Sequence, residues 1–281
     1  MYPPRGAFEP RASAPARPVW TRRRLLAFAG ATGLALSGCS SSTGTARDPV
    51  EGAFCVDRSS LDQHSSLAAL PLGYEVSQQP SSFWFDAGFY SQLQAWLIAY
   101  ADQVTERPPD QIWTYGAWIS GGTQCDSWHH SGRAFDLSRL RLASGQFLSA
   151  RYDQWRTTSG ATLERHLRDY WGLAASLHQH FAYVLTYLYN PQHHNHLHID
   201  NGRSGTEPSA FSSRSRVQVQ AVQGVLTYLW DRPVEPTGAW DGPTRRAVRQ
   251  VLDELEITTD LRTGSRSWQP FLQASTARAA A

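Results

Sequence analysis

The chain contains no lysine, and all 26 of its basic residues are arginines. Six of them lie in the first 38 residues beside a single Glu, so the remainder carries 20 basic and 23 acidic residues, a net charge of −3. No arginine-rich run remains outside that leader, which removes the electrostatic footprint expected of a nucleic-acid-binding protein. A long apolar run is also missing. The longest, Leu25–Gly38, has about 14 residues, short of the roughly 20 that a membrane-spanning helix needs. Cysteine is scarce, with three in 281 residues. Aromatics are plentiful, at eleven each of Trp, Tyr and Phe, and hydrophobic residues make up 41%. That composition suits a folded medium-sized domain plus a smaller one.

The leader has the shape of an export signal. Met1–Trp20 is rich in Pro, Ala and Arg, and Thr21-Arg22-Arg23-Arg24-Leu25-Leu26 then opens the apolar run. A charged segment before a short apolar one reads as secretion rather than membrane spanning. The arginine pair resembles a twin-arginine signal. Leu36-Ser37-Gly38-Cys39 resembles the bacterial lipoprotein lipobox, which implies that Cys39 becomes the first mature residue and carries a lipid; the alternative is a plain cleaved signal. Ser40–Asp48 is small and polar, as a flexible tether would be. Export leaves Cys55 and Cys125 in an oxidising compartment, where they read as one disulfide, the alternative being two buried free thiols. Closing a loop of that length stabilises by roughly 4 kcal/mol in the chain-entropy model. It would also steady the stretch that reaches His129.

Periodicity places the elements. Phe89, Leu93, Trp96, Leu97 and Tyr100 form one stripe of a helix over Ala87–Glu106, which Pro108-Pro109 ends. Gln111–Ile119 and Gly132–Leu142 read as strands around a Gly-rich loop, and Asn195–Asp200 as a third. Thr162–Tyr189 reads as a long helix with a break at Gly172. Gly202–Ser215, rich in Ser, Gly and Pro, reads as a boundary. Beyond it, Val222, Val225, Leu226 and Leu229 form one helical stripe, and Val248, Val251, Leu252 and Leu255 another. Pro243 and Thr244 open the second of these helices. Ala274–Ala281 reads as a frayed end.

Six of the ten histidines fall in two clusters: His129-His130, and His193, His194, His196 and His198. The first cluster is followed by Asp136. Two histidines and a carboxylate make an open zinc set that leaves a fourth position for water. A straight strand would separate His129 from Asp136 by roughly 23 Å, so the chain must turn back, and Ser131-Gly132 is where it can. Ala134 and Asp136 then share a strand face, and the small alanine leaves room for an ion. His196 and His198 alternate onto one side of their strand, so one can bind the ion while the other stands beside the water. No acidic residue lies within five positions before His198. The proton-transfer role therefore falls to His196, with His193 as a second helper. Tyr115, Trp118 and Trp128 lie close in sequence to these motifs, as core residues or as cleft lining.

Ser127, His129, Gly132, Ala134 and Asp136 match the Ser-x-His-x-x-Gly-x-Ala-x-Asp pattern of the lysostaphin / D-Ala-D-Ala metallopeptidase / Hedgehog superfamily, and His196 and His198 match its His-x-His. The resemblance spans about Val56–Asn201. It implies one Zn2+ ion held by His129, Asp136 and His198, with His196 stabilising the transition state. Murein endopeptidases within the superfamily also carry a histidine five positions before the last ligand, which falls on His193. The missing upstream carboxylate favours the penicillin-insensitive endopeptidase-like or extensin-like branch. Val219–Ile257, with Gly238-Ala239-Trp240-Asp241-Gly242-Pro243-Thr244 at its turn, resembles a small helical peptidoglycan-binding domain, although that family usually has Asp-Gly-x-Phe-Gly-Pro.

The expected fold class is α+β, a small antiparallel sheet with flanking helices around a zinc site, followed by an all-α module. The expected organisation is a signal at 1–38, a tether at 40–53, a zinc peptidase domain at 54–202, a linker at 203–215 and a peptidoglycan-binding-like module at 216–273. The expected function is zinc-dependent cleavage of peptide bonds in peptidoglycan, by a murein endopeptidase or a D,D-carboxypeptidase. The expected location is the cell envelope, with attachment to the membrane through the Cys39 lipid. The alternatives are a non-catalytic wall-binding lipoprotein with a structural zinc and a zinc hydrolase of another substrate.

Overall fold

The computed structural model of the protein describes residues 52–122, 124–202 and 207–281. The signal segment, Cys39, residues 40–51 of the tether and residues 203–206 lie outside the described residues.

The chain begins with short strands: β1 (Asp62–His64), β2 (Ser66–Leu67), β3 (Leu70–Tyr74), β4 (Gln79–Pro80) and β5 (Phe83–Phe85). Helix α1 (Ala87–Gln103) follows, opened by Asp86, whose carboxylate accepts the Phe89 N–H at 2.9 Å. It buries the expected stripe of Phe89, Leu93, Trp96, Leu97 and Tyr100. Next come β6 (Pro109–Gly116), β7 (Ala134–Leu142), β8 (Phe147–Ser149), the single turn α2 (Tyr152–Trp155), α3 (Gly160–His180), β9 (Tyr183–Leu185) and β10 (Leu197–Asp200). Three helices close the chain: α4 (Arg216–Leu229), α5 (Gly242–Glu254) and α6 (Ser265–Ala280).

The main sheet runs β2-β3-β6-β7-β10-β9, with β4 on β3 and β8 on β7, while β1 and β5 form a separate pair. Most pairs are antiparallel, but β3 and β6 are parallel, so the sheet is mixed rather than antiparallel as expected. The reason is α1, which lies between β3 and β6 in sequence and returns the chain in the same direction.

Three helix expectations change. Helix α3 ends at His180, well short of Tyr189. Tyr183-Val184-Leu185 leaves it to pair with β10, as suits an aromatic and β-branched run. Gly172 does not break α3. A Cβ there would collide with Ala279, so the glycine allows α6 to approach closely. For the same reason the C-terminus is ordered rather than frayed: Ser275 and Thr276 are buried, and Trp230 donates its indole N–H to Ser275 Oγ at 2.9 Å.

The described residues belong to one compact unit with one hydrophobic core that runs from Leu67 to Leu272. The segment expected as a linker contributes to that core through Phe211. Ser209 in the same segment receives the Trp268 indole N–H at 2.8 Å.

Candidate metal centre

The loop between β6 and β7 is held from several sides. Cys55 and Cys125 form a disulfide. The Val56 N–H donates to the His130 carbonyl at 3.0 Å, and the Trp118 indole N–H to the same carbonyl at 3.2 Å. Ser127 caps the turn Trp128–Ser131 by accepting the His129 N–H. Gly132 then reverses the chain with φ +68°. A Cβ at that position would meet Asp86 and Leu61. This is the fold-back that the spacing of His129 and Asp136 requires.

Strands β7 and β10 complete the site. Asp136 lies directly opposite His198 in the antiparallel register, and Ala134 opposite Asp200. Cross-strand partners of this kind stand roughly 5 Å apart at Cβ. His129 Nε2 is 3.2 Å from Asp136 Oδ1 and 3.2 Å from His198 Nδ1, and Asp136 Oδ1 is 2.9 Å from His198 Nδ1. A tetrahedral ion with bonds of about 2.0–2.1 Å separates its ligand atoms by roughly 3.3–3.4 Å. The three atoms therefore fit the edges of one zinc-sized coordination shell. The nitrogens on the far side of each ring are also engaged. His129 Nδ1 hydrogen-bonds the Ala117 carbonyl. His198 Nε2 meets Asp200 Oδ2 at 3.0 Å, and Asp200 Oδ1 accepts the Gly202 N–H at 2.7 Å. Such outer contacts orient metal-binding imidazoles.

His196 and His193 form the opposite wall. His196 Nε2 stands 3.4 Å from Asp136 Oδ1, and its Nδ1 is 2.6 Å from Asn195 Oδ1. The His193 ring lies 5.2 Å from that of His196 and 5.8 Å from that of His198. His193, His196 and His198 make a second set whose ligand atoms lie within 4.8 Å of one another, overlapping the set of His129, Asp136 and His198. His130 and His194 lie elsewhere. His130 hydrogen-bonds Ile119 and Asp126, while His194 packs edge-on against Tyr152. Among the nearby aromatics, Trp128 is core, whereas Tyr115 is half-buried with its ring edge-on to His196 at 5.9 Å.

The two walls differ in charge. Burial opposes a proton on His198, but hydrogen bonds to Asp136 and Asp200 outweigh it and raise its pKa to about 10. Burial would raise Asp136, yet the facing His129 and His196 and its hydrogen bonds hold it well below the usual carboxylate range. Burial raises Asp200. On the other wall, burial lowers His193 to about 3 and lowers His196 as well, so both are neutral near pH 7. The Asp136 carboxylate is thus matched by positive charge that a proton on His198 can supply. A divalent cation would take the place of that proton.

Sequence reasoning missed Asp200. Its signal was present, since it lies two residues after His198 on the same strand face. It also missed Thr114, whose hydroxyl donates to the Asp136 carbonyl at 2.7 Å, whereas Tyr115, read as core or cleft lining, flanks His196.

Residues 119–209 match the family described as extensin-like protein C-terminus. That stretch contains His129, Asp136, His193, His196, His198 and Asp200. Comparisons with curated proteins and with solved structures give no match. The chain is similar, over the stretch that carries its histidine clusters, to the extensin-like C-terminal family.

Proposed function

We propose that the chain is an exported zinc peptidase that cleaves peptide bonds in peptidoglycan, as a murein endopeptidase or a D,D-carboxypeptidase. The observation that carries this reading is the mutual spacing of His129 Nε2, Asp136 Oδ1 and His198 Nδ1, all within 3.2 Å of one another. The resemblance to the lysostaphin / D-Ala-D-Ala metallopeptidase / Hedgehog superfamily rests on these same residues. The leader and Cys39 favour export to the cell envelope and attachment by a lipid. The resemblance of Val219–Ile257 to a peptidoglycan-binding domain favours the wall as substrate.

The donors suit zinc: two imidazole nitrogens and one carboxylate oxygen, with the far ring nitrogens held by Ala117 and Asp200. A zinc ion held by these residues would supply polarisation of a peptide carbonyl and a more acidic water. His196, neutral and 3.4 Å from Asp136 Oδ1, takes a proton from the attacking water and stabilises the developing oxyanion. His193 is the second proton carrier, which delivers to the leaving amine. Tyr115 packs edge-on beside His196 on this side of the site.

A second reading is a structural zinc in a non-catalytic wall-binding lipoprotein. The closeness of His196 Nε2 to Asp136 Oδ1 favours it, since His196 would then be a fourth ligand that closes the site. Mass spectrometry of fragments released from purified cell wall decides between them. The wild type should release peptide-cleaved fragments that disappear with chelator and with His129→Ala. Identical profiles from wild type and variant would remove the peptidase and leave the structural zinc.

A further inference from the structure

His193 sits in the turn Pro191–His194, whose N-cap is Asn190. Asn190 Oδ1 accepts the Gln192 backbone N–H at 2.9 Å. A backbone N–H can only donate, so the carboxamide atom at this point is the oxygen. The same oxygen lies 2.7 Å from His193 Nδ1. Two acceptors cannot share that contact, so Nδ1 carries the proton and Nε2 is left with a lone pair. Tyr189 packs edge-on against the ring at 5.3 Å. The ring is therefore fixed in tautomer by one neighbour and in tilt by another, beside His196 and His198. Asn195 Oδ1 meets His196 Nδ1 at 2.6 Å in a similar manner.

We infer that Asn190 is a positioning residue of the peptidase, holding His193 as the Nδ1–H tautomer so that Nε2 exchanges protons in the cleft. This rests on the peptidase reading. The proton leaves water for His196 as the water oxygen bonds to the carbonyl carbon, and His193 Nε2 accepts it from His196. It then passes to the amine nitrogen as the carbon–nitrogen bond breaks, and His193 returns neutral. Without the Asn190 oxygen the ring is free to exchange tautomers, and in the other tautomer Nε2 is protonated and cannot accept.

Two substitutions separate this role from capping. Asn190→Asp keeps an acceptor for both Gln192 N–H and His193 Nδ1. Asn190→Ser keeps a helix cap but is too short to reach the ring. In the zinc-loaded full chain, the nitrogen-15 shifts of His193 should show Nδ1–H in the wild type and in Asn190→Asp, and a mixture in Asn190→Ser. The Ser variant should lose about tenfold in kcat on wall fragments with KM and zinc content nearly unchanged, and the Asp variant, whose carboxylate also favours the imidazolium, should lose less and return to within about twofold of wild type as the pH is raised. An unchanged tautomer in Asn190→Ser, or equal losses in both variants, would overturn the inference. A wild type inert toward cell wall with the tautomer change intact would sink the peptidase reading and leave the Asn190 contact standing. An active wild type with no tautomer change would sink the Asn190 inference alone.

Discussion

On one wall of the cleft His198 lies between the carboxylates of Asp136 and Asp200, while on the other His193 and His196 rest against the carboxamides of Asn190 and Asn195. All three imidazoles are largely removed from water, yet their affinities for protons diverge. His198 is pushed up to about 10 and His193 down to about 3. Burial acts on both in the same direction, so the difference comes from the neighbours: Asp136 and Asp200 raise His198, while the adjoining His198 and His196 lower His193 further. A carboxylate partner stabilises the imidazolium, and a carboxamide only orients the ring. In the proposed peptidase, a single residue type would thereby supply one wall that holds the ion and one that exchanges protons.

The strongest way to break this division is to remove a member of the ion-holding wall. His129→Ala should lose zinc, measured by metal analysis, and fall to background in wall-fragment release. Retention of one zinc with full release would refute the assignment. The division is sharpened by the other wall. His196→Ala should keep zinc and lose roughly a hundred- to ten-thousand-fold in turnover, the range for a proton-transfer group. Loss of zinc from His196→Ala would instead place His196 among the ligands and support the closed, structural site.

A smaller effect is expected one contact further out. Asp200→Asn keeps a hydrogen-bonding partner for His198 but removes the charge. Zinc affinity, read by competition with a chelator of known strength, should fall about ten- to a hundredfold. An unchanged affinity would show that Asp200 serves β10 and the Gly202 turn rather than the ligand.

Part of this arrangement was legible in the sequence. The spacing of His129 and Asp136 demanded a bend, and Gly132 was the residue able to make it. The meeting of that motif with His198 was not contained in either motif alone. It depends on β7 and β10 pairing with Asp136 opposite His198, a long-range register. Asp200 was overlooked because a lone acid at a strand end resembles a surface residue until its contact with His198 is seen. β3, with Leu-Pro-Leu-Gly-Tyr, has no clean alternation, so the parallel pairing with β6 had no local signal. Phe181 falls four residues after Leu177 and continues the helical stripe by coincidence, which hid the end of α3. The ordered end of α6 depends on Gly172, far away in sequence, making room for Ala279.

The mildest test uses a histidine outside the cleft. His178 is buried in the core with Trp268 at 6.0 Å, and burial holds its pKa down to about 3. It shares the neutrality of His193 without any link to the ion, so it measures what burial alone does. The unfolded chain protonates this side chain below its ordinary value near 6.5. Between that pH and about 3 the unfolded state therefore binds more protons than the folded one, and stability falls as pH falls, by up to about 1.4 kcal/mol per pH unit from this group. His178→Leu, close in size and unable to titrate, should flatten the acid limb of denaturant midpoints measured from pH 7 to pH 4. Other lowered histidines, His166 and His180 among them, preserve part of the slope. Parallel acid limbs in wild type and variant would mean that burial does not hold His178 neutral, and the same explanation for His193 would then lose its support.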